Sequence, residues 1–97
     1  MFTTTVYFGA TIPDAGEVNA SMFASFLKET ISEMLDSFTL TEGYGCWGGE
    51  YEKVRILTVI SEEMLDEVLI IADEYKKQFR QESVLVNVVE NHAFALV

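Results

Sequence analysis

Cysteine, proline and positive charge are all scarce in this 97-residue sequence. Cys46 stands alone, so no intrachain disulfide can form, and a reducing cytoplasm is the natural compartment. The start, Met1 to Thr5, lacks the basic and long apolar regions of a secretory leader. No apolar run approaches the roughly 18 residues that a membrane-spanning helix needs. Six Lys and Arg face sixteen Asp and Glu, a net charge of −10 that repels the phosphate backbone a nucleic-acid binder must attract. DNA or RNA binding is therefore disfavoured, although a protein that imitates DNA would carry this sign of charge. The single Cys and the single His come with no CxxC or HxxxH spacing, so no structural metal is expected. Cys46 and His92 also lack a third group to orient them as nucleophile and base.

What the sequence does have is apolar residues, 49% of the chain against 23% charged, enough for a packed core. The length suits one domain, 1–97, because a second core of ordinary size would itself need roughly 100 residues. Residues 3–9 are β-branched and aromatic and stop at Gly9, which predicts a strand followed by a loop at Pro13, Asp14 and Gly16. Asn19 or Ser21 can cap a helix over about 20–36, with Met22, Phe23, Phe26, Leu27, Ile31, Met34 and Leu35 on its buried side. Residues 37–47 alternate and then turn glycine-rich, as in a hairpin with a bulged strand. Residues 52–60 form a strand with Val54, Ile56, Thr58 and Ile60 on one face and Arg55, Leu57 and Val59 on the other. Ser61 is the expected cap of a second helix, whose core stripe is Met64, Leu65, Val68, Ile71, Ala72, Tyr75 and Phe79 and whose last turn carries Lys76, Lys77 and Arg80. A strand over 83–89 and a short terminal strand around 93–97 complete the chain.

The order βαββαβ is that of an α+β, ferredoxin-like fold, an antiparallel sheet with two helices on one face. Two helices leave the other face bare, and Leu57, Val59, Leu85 and Val89 are expected to point away from the face that holds Val54, Ile56, Val84 and Val86. Such a surface exceeds what soluble monomers usually expose, so oligomerisation through the sheet is expected, with ligand clefts between subunits.

Gly43 to Gly48 match GxGxxG, but the phosphate-cradling form of that motif must open a helix, and here it leads into a strand. The acids of helix two, Glu62, Glu63, Asp66, Glu67, Asp73 and Glu74, make a face that serves solubility or, if spaced like phosphates, DNA mimicry. A more informative cluster is Tyr44, Trp47, Glu50, Tyr51 and Glu52, aromatics and carboxylates around a glycine hairpin. Both groups attract an organic cation such as a sulfonium or ammonium. The same aromatics could instead pack on a neighbouring subunit.

Gly45-Cys46-Trp47, then Glu52 to Arg55, then Gln81 to Val86 with His92 six residues on, resemble the bacteriophage S-adenosylmethionine lyases, formerly called hydrolases. The likeness covers roughly 38–97, with a glutamate opening the strand after a GCY hairpin. The family's hairpin tyrosine is replaced here by Trp47, and the hairpin is shorter. Tyr7, Phe8, Gly9 and Trp47 also fit a secreted bacterial family of unknown function with a YFG start and a GxW motif; the missing leader favours the phage branch.

The lyase resemblance implies a PII-like oligomer, a trimer, with ligand bound between neighbours. It implies cleavage of S-adenosylmethionine to methylthioadenosine and homoserine lactone, with no cofactor and no metal, by attack of the substrate's carboxylate on its own γ-carbon. Glu52 would hold the substrate ammonium and Trp47 would flank the sulfonium. Tyr44 and Tyr51 would line the ligand site, and the backbone from Ser83 through Val84 and Leu85 to Val86 would read adenine. The host cytoplasm, with a role against restriction, is the setting such a phage protein would have. A non-catalytic PII-like module that binds an adenine-containing molecule and an acidic DNA mimic are the alternatives.

Overall fold

The computed structural model describes all 97 residues. Four strands, β1 (Phe2–Gly9), β2 (Thr39–Trp47), β3 (Glu50–Ser61) and β4 (Leu85–Glu90), form one antiparallel sheet in the order β2-β3-β1-β4. Helix α1 runs through three consecutive stretches, Ala20–Phe26, a π-helical turn at Leu27–Ile31, and Ser32–Met34; helix α2 is Asp66–Gln78. No helix is long and apolar enough to cross a membrane. The arrangement is α+β and ferredoxin-like, as the order of elements predicts.

Register decides which residues meet the helices. Val6 lies between Leu57 and Val86, and Phe8 opposite Arg55, so alternate residues of β1, β3 and β4 share one face. On that face Val6, Phe8, Leu57 and Val59 pack against Phe23, Phe26 and Ile31 of α1 and Val68, Ile71 and Tyr75 of α2. The opposite face carries Thr3, Thr5, Tyr7 and Gly9 beside Ile60, Thr58, Ile56 and Val54, and Val89, Asn87 and Leu85 on the far side. The expected grouping of Leu57 and Val59 with Leu85 and Val89 is thus wrong by one residue of register. The uncovered face is also less apolar than expected, because threonines alternate with its aliphatic residues.

Five rings, Phe8, Phe23, Phe26, Tyr75 and Phe79, form the centre of the core, with Tyr75 only 4.6 Å from Phe8 and 4.8 Å from Phe79, centroid to centroid. Arg55 is buried among them at 5.0 Å over the Phe23 ring, its Nη1 donating to the Val18 carbonyl at 2.7 Å and its Nε 3.6 Å from the Glu42 carboxylate.

Several expected boundaries move. The hairpin has no bulge: pairing is unbroken from Thr39 with Thr58 to Trp47 with Glu50, because Gly48 and Gly49, at φ of 59° and 86°, make a two-residue turn that already matches the strand twist. Ser61 is not a helix cap but the last residue of β3, its hydroxyl donating to the Glu63 carbonyl; α2 begins at Asp66 after Leu65, which offers no capping side chain, and Met64 is exposed. Asn19 does cap α1, accepting from the Met22 amide at 2.9 Å. Residues 93–97 form no strand and do not join the sheet.

Candidate active site on the uncovered face of the sheet

A cleft of about 670 Å³ opens at one end of the uncovered face, within the size range of small-molecule sites. Its walls are the end of β1 with the loop that follows (Tyr7, Gly9, Thr11, Pro13), the tip of the β2–β3 hairpin (Trp47, Glu50, Tyr51, Glu52), and the approach to β4 (Gln81, Glu82, Ser83, Leu85).

Each wall is fixed by identifiable bonds. The loop after β1 folds back on itself through Val18 N–H to the Ala10 carbonyl at 2.7 Å and Ile12 N–H to the Gly16 carbonyl at 2.8 Å. Gln81 ties that loop to the end of α2, its Nε2 donating to the carbonyls of Thr11 at 2.8 Å and Phe79 at 3.0 Å. Arg80 adds a bond from Nη2 to the Pro13 carbonyl at 3.1 Å. From the core, the Tyr75 hydroxyl donates to the Gly9 carbonyl at 2.6 Å. Burial, and secondarily the nearby Glu52 carboxylate, hold the Tyr75 phenol well above its ordinary pKa against the opposing pull of Arg55, so it remains a donor.

Glu52 sits at the centre. Its Oε2 accepts from the Thr11 amide at 3.0 Å, and its carboxylate lies against the bare Cα of Gly9. Gly45 pairs with Glu52 across the hairpin, and the Trp47 indole folds back over Gly45. A carboxylate and an aromatic ring thereby lie side by side at the cleft wall. Glu50 and Glu82 bring the lining carboxylates to three, while no lining residue is basic. Such a lining attracts an organic cation and repels phosphate. No group of three His, Cys, Asp or Glu side chains is placed to hold a metal ion.

Of the residues singled out in the sequence, the cleft gathers Trp47, Glu50, Tyr51, Glu52, Ser83 and Leu85. It does not include Tyr44, which pairs with Lys53 on the other face of the hairpin and is 77% exposed, nor Val84 and Val86, which turn toward the core. Thr11 carries no signal in the sequence, and Tyr7, Gly9 and Gln81 stand out there only as strand or motif residues, because the elements that carry them meet only in the fold. Cys46 and His92 lie at opposite edges and opposite ends of the sheet, so they form no dyad.

The family model that matches residues 3–94 is described as a protein of unknown function, DUF3574. The chain belongs to that family. No curated protein matches this DUF3574 member. Its fold is that of a phage S-adenosylmethionine lyase solved with S-methyl-5′-thioadenosine, at a TM-score of 0.68 and 21% identity over 92% of this chain and 80% of the other. A phage S-adenosylmethionine lyase in the apo state gives 0.69 and 21% over 91% and 78%. The motifs favour the phage lyases over a family of unknown function, whereas the family shown is one of unknown function and the lyase likeness is one of fold.

Proposed function

We propose that this cleft binds S-adenosylmethionine and cleaves it to methylthioadenosine and homoserine lactone. The observation that carries the reading is the Glu52 carboxylate, bonded to the Thr11 amide beside the Trp47 indole in a cleft whose lining has three carboxylates and no base. The fold is shared with a lyase whose structure holds the thioadenosine product. The lining argues against phosphorylated adenine nucleotides and for a sulfonium.

In the reaction a substrate carboxylate oxygen bonds to the γ-carbon as the bond from that carbon to sulfur breaks, and its electron pair leaves with the thioether. Positive and negative charge cancel, no proton moves, and no cofactor or metal is called for. Water holds such a reaction back by solvating both charges, so a site that folds and dries the substrate supplies most of what is needed. Glu52 holds the substrate ammonium through charge-assisted hydrogen bonds, and the Trp47 face flanks the sulfonium. Tyr51 borders the ligand. Ser83 and Leu85 lead into β4, an edge strand whose outer backbone groups are free to read adenine.

The cleft is open along the sheet, whereas bound ligands of this size are usually about 70–90% buried. A second copy closes it in this reading, through a face where Ile56, Ile60, Leu85 and Val89 alternate with threonines. A trimer acting in the cytoplasm of a phage-infected cell against methyl-dependent restriction is the setting. Sedimentation at micromolar concentration is expected to show an oligomer; a monomer would contradict the closure.

The decisive assay incubates the protein with S-adenosylmethionine and looks for methylthioadenosine by chromatography. Product is expected, with no competition from ATP at equal concentration. Binding without product would leave the non-catalytic module, for which the loss of a hairpin phenol at Trp47 is the specific support.

A further inference from the structure

Four of the six glycines have a plain explanation or need none, while Gly45 shares an unusual feature with Gly9. Gly16, Gly48 and Gly49 have positive φ, a conformation that glycine adopts freely. Gly43 has ample room, since a Cβ there would meet only the Ile56 Cδ1, at 3.8 Å. Gly9 and Gly45 lie in strands without positive φ, where glycine weakens pairing and a side chain would be tolerated by the backbone. What excludes a side chain is the neighbouring group. A Cβ on Gly9 would lie 2.6 Å from Glu52 Oε1 and 3.0 Å from its Oε2. A Cβ on Gly45 would lie 2.7 Å from Trp47 Cζ2 and 2.8 Å from its Nε1. The two crowded glycines are crowded by the two side chains to which the proposed function assigns the ligand's charges.

We infer that Gly9 and Gly45 are positioning residues that seat the Glu52 carboxylate and the Trp47 indole at the cleft wall. The inference rests on the S-adenosylmethionine reading of the cleft. Gly9 is itself anchored, its carbonyl taking the Tyr75 hydroxyl, so it cannot drift away to make room. Glu52 is bonded to Thr11, two residues beyond Gly9. A methyl at position 9 therefore drives the carboxylate off its bond with Thr11. A methyl at position 45 lifts the indole off the strand and into the space a ligand would use. Gly43, on the same face of the same strand as Gly45, separates this effect from the general consequence of adding a methyl to β2.

Double-mutant cycles test the inference, because groups acting through one another are non-additive whereas independent defects multiply. Gly9→Ala and Glu52→Gln are each expected to weaken S-adenosylmethionine binding about 10- to 100-fold, the range of one lost charged hydrogen bond, and the double variant no further. Trp47 is the only tryptophan, so emission reports its seat directly. Gly45→Ala should shift that emission and raise its quenching by acrylamide, while Gly43→Ala leaves both emission and binding as in the wild type. Should Gly9→Ala alone fail to fold, Glu52→Ala in the same chain should restore folding by removing the collision. Multiplying losses, wild-type binding by Gly9→Ala, unaltered emission in Gly45→Ala, or no rescue of folding would each overturn the positioning role. A wild-type protein that neither binds nor cleaves S-adenosylmethionine would instead overturn the reading of the cleft and the inference with it.

Discussion

Glu52→Gln should reduce the release of methylthioadenosine from S-adenosylmethionine by about 100-fold or more, the scale on which a preorganised polar group contributes to a reaction that redistributes charge. The substitution is nearly isosteric. An amide oxygen can still accept from Thr11 N–H, which the carboxylate now meets at 3.0 Å, so the loop after β1 keeps its tie to β3. What vanishes is the negative charge that the proposed function sets against the ligand's ammonium. Circular dichroism and the unfolding temperature should therefore stay close to those of the wild type while chromatography shows that fall in product. Unchanged turnover would remove Glu52 from its role, and unfolding would show that its charge serves the fold.

Helices were readable because their spacing is redundant. Phe23, Phe26 and Ile31 in α1, and Val68, Ile71, Ala72 and Tyr75 in α2, all fall on the buried side as their recurrence requires. Ends were less readable because single residues fix them. Helix α2 ends at Gln78, and just beyond it Arg80 adopts a left-handed φ of 51° usually taken by glycine, while the Gln81 amide closes back on the Lys76 carbonyl at 2.9 Å. No sequence signal marks an arginine for that task. Arg55 is similar: alternation along β3 puts it on the helix side, yet its charge is accommodated there by groups that only the fold brings together, the Val18 carbonyl, the Glu42 carboxylate and the Phe23 ring.

The candidate site was legible where it is local in sequence. Trp47, Tyr51 and Glu52 flank one hairpin, and their chemistry stands out without any fold. Thr11 and Gln81 are separated by 70 residues and meet through a single hydrogen bond, which no periodicity encodes. Gly9 offered a signal that could have been used: a glycine ending a strand of β-branched and aromatic residues, with no turn immediately after it, asks what occupies the place of its missing side chain. The face assignment failed for a different reason. A strand shows which residues alternate, but the partner strand's register, here Val6 with both Leu57 and Val86, decides which alternates join.

The largest effect on stability is expected at Tyr75, where core and cleft meet. Tyr75→Ala removes a fully buried ring that touches Phe8, Phe26 and Phe79, and such truncations cost about 3–5 kcal/mol. A domain of this size holds only about 5–15 kcal/mol in total, so the melting temperature should fall by some 12 °C or more. Tyr75→Phe separates the two contributions. It keeps the ring and removes the hydroxyl from the Gly9 carbonyl, for an expected cost of about 1–3 kcal/mol, with a larger relative loss in ligand binding because Gly9 backs Glu52. The phenol's pKa is raised in the folded protein, chiefly by burial, so an unfolded chain loses that proton first as pH rises. Its contribution to stability is complete below about pH 10 and declines above it, by about 1.4 kcal/mol for each further pH unit until the folded phenol also ionises. Chemical denaturation followed from pH 9 upward should show that decline in the wild type in excess of whatever Tyr75→Phe shows. Equal slopes would mean that the hydroxyl reaches water, and that the bond from the core to Gly9 does not hold the cleft in place.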